Sequence, residues 1–348
     1  MMLSTQRRSL RLVSFGLILS LLACRTQHGT PSSSEFSSKE LKKEVSSGPD
    51  VLLTIPHDLE TVLSHSSSSY NVLEFEKMAN NRLVRKWIDY FTGDGRESFQ
   101  QFLYRGSYYR PVIQYILKKH DLPVHLYYLA MIESGFQLKA VSSAKAVGIW
   151  QFMRPTAGRY HLRVDRYVDE RKDPIRATLA ACQYLKDLHN VFGSWYLAIA
   201  AYNAGETRIM NVIMRSKTRD YWDLVELGAL PRETIDYAPQ FVAAALIGEH
   251  AEKYGFKLQK SDAVLPALAA IKIPPQTSLH RVASVLDLPI SDLKRFNPHV
   301  QSEHTPPYGQ HYFLWIPAEK KEKAKDLSKL KRTFLSTIAG LSAEQQLY

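Results

Sequence analysis

The residue whose type and setting most directly suggest chemistry is Glu133. It stands near the end of the run Leu-Pro-Val-His-Leu-Tyr-Tyr-Leu-Ala-Met-Ile-Glu-Ser-Gly-Phe, Leu122 to Phe136. The run reads as a helix with Asp121 as its N-cap, Pro123 in the first turn where a missing N–H costs nothing, and Gly135 as its stop. At about 100° per residue, Leu126, Leu129, Ala130 and Glu133 share one narrow face. The first three make that face apolar, so a carboxyl ends a buried stripe. Desolvation disfavours its charged form, and the negative end of the helix dipole disfavours it further. A carboxyl kept protonated near neutral pH is what a general acid must be. The alternative is a Glu at a frayed helix end, turned to water.

Three further runs follow in order: Gly148-Ile149-Trp150-Gln151-Phe152-Met153, then Ala201-Tyr202-Asn203-Ala204-Gly205-Glu206, then Glu233-Thr234-Ile235-Asp236-Tyr237-Ala238-Pro239. With the Glu133 helix, this ordered set resembles the catalytic domain of the lytic transglycosylases that cut peptidoglycan. The resemblance runs from about Arg82 to Phe256. It implies a mainly α, lysozyme-like catalytic domain that cleaves the β-1,4 bond between N-acetylmuramic acid and N-acetylglucosamine without water and leaves 1,6-anhydromuramic ends.

Most glycosidases use two carboxylates. Here the resemblance implies one, Glu133, acting first as acid and then as base, with the muramic N-acetyl group assisting departure. Ser134 would orient the substrate amide or the acid. Gln151 would bond sugar or N-acetyl groups, Met153 would line the cleft, and Tyr202 and Asn203 would hold its floor. Tyr237 would place its hydroxyl near the N-acetyl carbonyl or the carboxyl. No metal or cofactor is implied. Taken by themselves, Gln151 and Asn203 can equally be helix-capping or core amides. Asp165, Asp169, Glu170 and Asp173 cluster in a segment that reads as a solvated charged loop. The sequence departs from the usual pattern at Lys145, where a Gly is common, at Arg154 and Pro155, where the Pro comes one place late, and at Ala238, where a Val is common.

The chain has 348 residues, room for two domains and a sizeable core, and a net charge of +11 that favours anionic partners. No zinc-finger spacing, RNP-type stretch or P-loop supports nucleic acid or nucleotide. Arg7, Arg8 and Arg11 precede the apolar run Leu12 to Leu22, which is short for a membrane span and ends in Leu21-Leu22-Ala23-Cys24. This reads as a lipoprotein signal peptide over 1–23, with cleavage before Cys24 and acylation of that cysteine; the alternative is an ordinary signal peptide with a chance Cys. Loss of residues 1–23, with three Arg and no acid, leaves +8. Cys182 is then alone, inside an apolar helical pattern, and reads as a small buried hydrophobe. Arg25 after the acylated position points to the outer membrane, facing the periplasm. The expected partners are peptidoglycan glycan strands and a membrane held through Cys24.

The elements that must position these residues are helical. Residues 24–69 are rich in Ser and charge and read as a flexible tether. The catalytic domain with its lead-in spans 70–260, its core about 120–256. Leu83, Trp87, Ile88 and Phe91 open a helical pattern closed by Gly93, and Phe99, Leu103, Ile113, Ile116 and Leu117 continue it. Residues 140–148 look irregular. Asp173-Pro174 opens a helix to Phe192, with Gly193 as its stop; Trp195 to Asn203, Glu206 to Met214 and Thr234 to Tyr254 are further helices. Residues 265–318 read as a small α+β module: helices over Ser278–Leu286 and Ser291–Pro298, then a strand over Tyr312–Pro317. "Leu-x-x-x-Asn-Pro" and the closing "Leu-x-Ile-Pro" resemble a degenerate LysM glycan-binding module. Pro275-Gln276-Thr277 stands in place of its Gly-Asp-Thr opening, so sugar binding and structural packing stay equally open. Residues 319–348 form a basic tail. Two rivals remain: a hydrolytic, goose-lysozyme-like muramidase, and a non-catalytic wall-binding lipoprotein.

Overall fold

The computed structural model describes residues 75–258, 265–325 and 327. The expected signal peptide, Cys24, the tether and most of the tail lie outside the described residues. The fold is mainly helical with a small two-stranded sheet near its C-terminal end, as expected. After a 3₁₀ turn at Phe75–Met78, helix α1 (Arg82–Thr92) starts at Asn81, whose side chain accepts from the Leu83 N–H at 2.9 Å. Helix α2 (Arg96–Lys119) ends in a left-handed residue, Asp121, φ +57°. The Asp121 N–H reaches Lys118 O at 3.0 Å and the Leu122 N–H reaches Leu117 O at 2.9 Å, the bond pattern of a Schellman close. Asp121 therefore terminates α2 and does not cap the next helix, which corrects the sequence reading. A 3₁₀ turn, Val124–Leu126, leads into α3 (Tyr127–Ser134), and Gly135 stops it with φ +57° and its N–H on Met131 O at 2.8 Å.

Then come α4 (Arg154–Arg159), α5 (Pro174–Phe192), α6 (Trp195–Ala204), α7 (Glu206–Ser216), α8 (Tyr221–Glu226) and α9 (Arg232–Glu249). The expected last long helix is shorter at its end: His250 breaks it and a 3₁₀ turn follows at Ala251–Tyr254. Buried Leu, Ile, Ala and aromatic side chains of α1 to α9 form one core. Helix α3 is fixed at its start by a half-buried polar clamp. Tyr128 OH donates to Glu249 Oε1 at 2.8 Å, and Arg110 grips the same carboxylate at 2.8 and 3.0 Å, tying α3 to α2 and α9.

In the C-terminal module, β1 (Leu268–Ile273) pairs antiparallel with β2 (Tyr312–Pro317), Leu268 opposite Pro317 and Ile273 opposite Tyr312. Helices α10 (Leu279–Leu286) and α11 (Ile290–Phe296) pack on them, and Lys321–Ala324 adds a short helix, α12. Asn297 locks helix to strand: its amide donates to Leu293 O and Trp315 O, and its Oδ1 accepts from the Trp315 N–H, at 2.7–2.9 Å. The two cores interlock. Leu268, Phe296 and Trp315 join the catalytic core, while Val168 sits in the core of the module. Backbone bonds finish the joint, with the Asp169 N–H on His299 O and the Gln301 N–H on Tyr167 O, both at 2.8 Å.

Candidate active site

Glu133 sits in the last turn of α3, on the face of Leu126, Leu129 and Ala130, which are fully buried. Burial pushes its carboxyl up to about 7; the hydrogen bond from Tyr237 OH to Oε1 works against this, and the nearby Glu233 carboxylate works with it. Tyr237 is delivered by the stretch of α9 just before an internal proline. Pro239 lies inside that helix and has no N–H to offer Ile235 O. The hydroxyl of Tyr221 takes that place, shared between Ile235 O at 2.9 Å and Thr234 O at 3.0 Å. A buried tyrosine thus supports the turn that carries Tyr237.

The second wall is the turn from Val147 to Met153. Gly148 has φ +85°, and a Cβ there would stand 1.9 Å from Arg171 O, so only glycine fits. Lys145, φ +68°, also takes a left-handed backbone, which accounts for glycine being the usual residue at that place. Gln151 follows with φ +47°, its amide nitrogen donating to Gly148 O at 2.8 Å, so its oxygen is the atom left to face a ligand. Ser134 donates to Ile149 O at 3.1 Å and so joins α3 to this turn. Tyr202 OH donates to Trp150 O at 2.6 Å from the α6 side, and the Tyr202 ring rests on Tyr184 with centroids 5.1 Å apart. Burial raises the Tyr202 hydroxyl, and the Glu133 charge raises it further. Asn203 Oδ1 accepts from Thr234 Oγ1 at 3.0 Å. Met153 is the N-cap residue of α4, and Pro155 is accommodated in the first turn of that helix.

Six of the seven predicted residues are tied by hydrogen bonds to one another or to shared neighbours, and Met153 stands at the start of α4. Glu133 and Tyr237 touch. Ser134, Gln151 and Tyr202 meet through backbone carbonyls of the 148–152 turn, and Asn203 joins through Thr234.

One reading needs correction. Asp169, Glu170 and Asp173 are not solvated; they are 5%, 6% and 0% exposed. Asp169 grips Arg171 at 2.8 and 2.9 Å, and Arg171 in turn donates to Lys145 O and Phe152 O at 3.2 Å, clamping both ends of the cleft turn. Asp173 caps α5 through the Ile175 and Arg176 N–H groups and accepts from Trp315 Nε1 at 2.6 Å. Glu170 pairs with Arg176 and Tyr312. Arg171, Thr234 and Tyr221 are supports that sequence reasoning missed. Among them only Thr234, inside the last motif, carried a signal.

The family model "Transglycosylase SLT domain" matches residues 110–225, and "Lytic transglycosylase MltD, LysM-like domain" matches residues 267–332. The chain is 32% identical over 246 residues to membrane-bound lytic murein transglycosylase D of Escherichia coli K12, and equally to that of Escherichia coli O6:H1. Each alignment covers 66% of this chain and 53% of the relative, so the chain spans about half the length of the curated relatives it matches. Among solved structures, an inactive mutant of lytic transglycosylase Slt from Pseudomonas aeruginosa covers 41% of this chain and 24% of its own, at 22% identity and TM-score 0.35. The matched segments hold Glu133, Gln151, Tyr202 and Asn203 on one side and the Trp315 brace on the other. Residues 110–225 of this chain are thus similar to the transglycosylase SLT domain, and residues 267–332 to the LysM-like domain of lytic transglycosylase MltD.

Proposed function

We propose that this chain is a lytic transglycosylase of peptidoglycan, with Glu133 as its single acid and base. One observation carries the reading: a carboxyl raised to about 7, held by one hydroxyl donor, in a cleft built from the motif residues. In its protonated form Glu133 gives its proton to the glycosidic oxygen between N-acetylmuramic acid and N-acetylglucosamine. Tyr237 holds Oε1, which leaves Oε2 to carry that proton. The muramic N-acetyl group assists departure, and the resulting carboxylate takes the C6 hydroxyl proton as the 1,6-anhydro ring closes.

The intramolecular hydroxyl competes with water through an effective concentration on the order of 10⁵ M or more when well oriented. The Gln151 oxygen and the Asn203 amide supply hydrogen-bonding atoms for sugar or N-acetyl groups. Ser134 offers its oxygen as an acceptor, Met153 lines the wall and Tyr202 fixes the floor. Acylation of Cys24 and an outer-membrane position facing the periplasm complete the proposal, motivated by Leu21-Leu22-Ala23-Cys24.

The test is digestion of purified sacculi followed by mass spectrometry. The expected products end in 1,6-anhydromuramic acid and are lighter by one water than reducing-end products. Predominantly reducing ends would replace this reading with the muramidase, and no released product would support the wall-binding protein. Lipid labelling of wild type and of Cys24→Ala checks the anchor separately.

A further inference from the structure

Pro239 interrupts the hydrogen-bond ladder of α9 at a place that bears on the site. In an unbroken helix the N–H of residue 239 would serve Ile235 O. Proline has none to give, and a buried carbonyl left without a donor is costly. Just after Ile235 comes Tyr237, whose hydroxyl donates to Glu133 Oε1. Just before it comes Thr234, whose Oγ1 donates to Asn203 Oδ1 at 3.0 Å. The turn with the missing donor is therefore the turn that aims both groups.

The replacement donor comes from outside the helix. Tyr221 opens α8 and is 1% exposed. Its backbone is fixed by Asp220, which caps α8 through the Trp222 and Asp223 N–H groups at 2.7 and 3.1 Å. Its ring is fixed by Tyr196 and Trp222, with centroids 6.1 and 5.1 Å away. From there the hydroxyl is shared between Ile235 O at 2.9 Å and Thr234 O at 3.0 Å, and the Ala238 N–H bonds the same oxygen. Burial holds the hydroxyl above its ordinary value, so it remains a donor at the pH where Glu133 titrates. A side chain this deeply buried does not touch a substrate, so whatever it contributes passes through Tyr237 and Asn203.

We propose that Tyr221 is a positioning residue for the reaction: its hydroxyl replaces the amide that Pro239 lacks, and so fixes Tyr237 against Glu133 and Asn203 against the sugar. The inference rests on the proposed function for the roles of Glu133 and Asn203.

The first readout needs no turnover. The Glu133 carboxyl is titrated by carbon-13 NMR in the full chain, with Glu133→Gln to assign its signal. Tyr221→Phe keeps the ring and removes only the hydroxyl. Glu133 is expected to titrate higher in Tyr221→Phe than in wild type, because the Tyr237 bond lowers that value and is then less often made. Tyr237→Phe is expected to shift it at least as far, and combining the two is expected to add nothing to Tyr237→Phe. The rescue is Pro239→Ala, which gives Ile235 O a donor within the helix. In that background Tyr221→Phe is expected to leave the Glu133 titration where Pro239→Ala alone puts it, and this pair carries the test if Tyr221→Phe alone does not fold.

On sacculi, kcat is expected to fall about threefold to tenfold in Tyr221→Phe and to recover in Pro239→Ala/Tyr221→Phe. An unshifted titration or an unchanged kcat in Tyr221→Phe, additive shifts with Tyr237→Phe, a shift that persists in the Pro239→Ala background, or a Pro239→Ala/Tyr221→Phe chain that does not fold overturns the inference. A wild-type chain inert on sacculi whose titrations follow the expected pattern would instead overturn the proposed reaction.

Discussion

Glu133 and Asp173 are both carboxyls shielded from water, Asp173 fully and Glu133 in part, and their surroundings answer the same electrostatic problem differently. Burial pushes both upward. Asp173 is met by two backbone N–H groups, the Trp315 indole and the Arg176 guanidinium at 3.3 Å. Its charge is shared among fixed donors that no substrate displaces. Glu133 receives one hydroxyl and faces a second acid, Glu233, across the site. A charge left that poorly answered sits near its own titration point, which is where a proton can be both given and taken back. The comparison separates a fully buried carboxyl that holds a structure from a half-buried one that is suited to chemistry.

The strongest way to break the comparison is Glu133→Gln. Turnover on sacculi is expected to fall about a thousandfold or more. Stability should move the other way. The folded-state value of about 7 lies above the ordinary 4.5, so the protonated form favours the fold and that contribution is lost as pH rises from about 4.5 through 7. At pH 8 the Gln variant is expected to unfold at a higher temperature than wild type, by about 1–3 kcal/mol of stability. Loss of stability together with retained activity would reverse the two roles.

Asp173→Ala should do the opposite. Removing the acceptor leaves Arg176 and the Trp315 indole buried without it, at a cost of about 3–5 kcal/mol in denaturant unfolding. Turnover per folded molecule should survive, because the substituted carboxyl takes no part in the reaction. Trp315→Phe sharpens the same point with a smaller change: one charge-assisted hydrogen bond is lost, about 1.5–3 kcal/mol. The smallest expected effect comes from Tyr237→Phe. The Tyr237 bond lowers the Glu133 value, so its removal lets burial push the carboxyl higher. The alkaline limb of the pH–rate profile, which in wild type falls above pH about 7, should move upward while the plateau drops about tenfold. A limb that stays fixed would separate Tyr237 from the acid.

Part of this was legible in the chain because it depends on near neighbours. The Glu133 face, the Gly135 stop, the Asp173-Pro174 opening and the strand ending at Pro317 follow from periodicity and end residues. What stayed hidden depends on distant partners. Asp121 looked like the start of a helix, and only the α2 carbonyls it serves make it an end. Asp169, Glu170 and Asp173 look solvated until Trp315 and Tyr312 arrive from more than a hundred residues away to cover them. The β1 run Leu-Ala-Ala-Ile-Lys-Ile alternates weakly, and only its pairing with β2 defines it as a strand. The cleft residues were identifiable as a set. The backbone carbonyls that orient Ser134, Gln151 and Tyr202 belong to a left-handed turn that no local pattern announced.

The joint between the two cores has a consequence for the order in which the molecule is completed. Asp173 and Trp315 are 142 residues apart in the chain, and Val168 pairs with Val300. Contacts of such sequence separation form late, after local helices, because a long loop must close before they contribute. The helix bearing Glu133 is itself held by Glu249, 121 residues away, and the segment that clamps the 148–152 turn is braced by β2 through Asp173 and Trp315. On the proposed reading, the helix of the acid and the turn beside it both depend on contacts more than a hundred residues apart, so the cleft is complete only when distant segments have closed on one another.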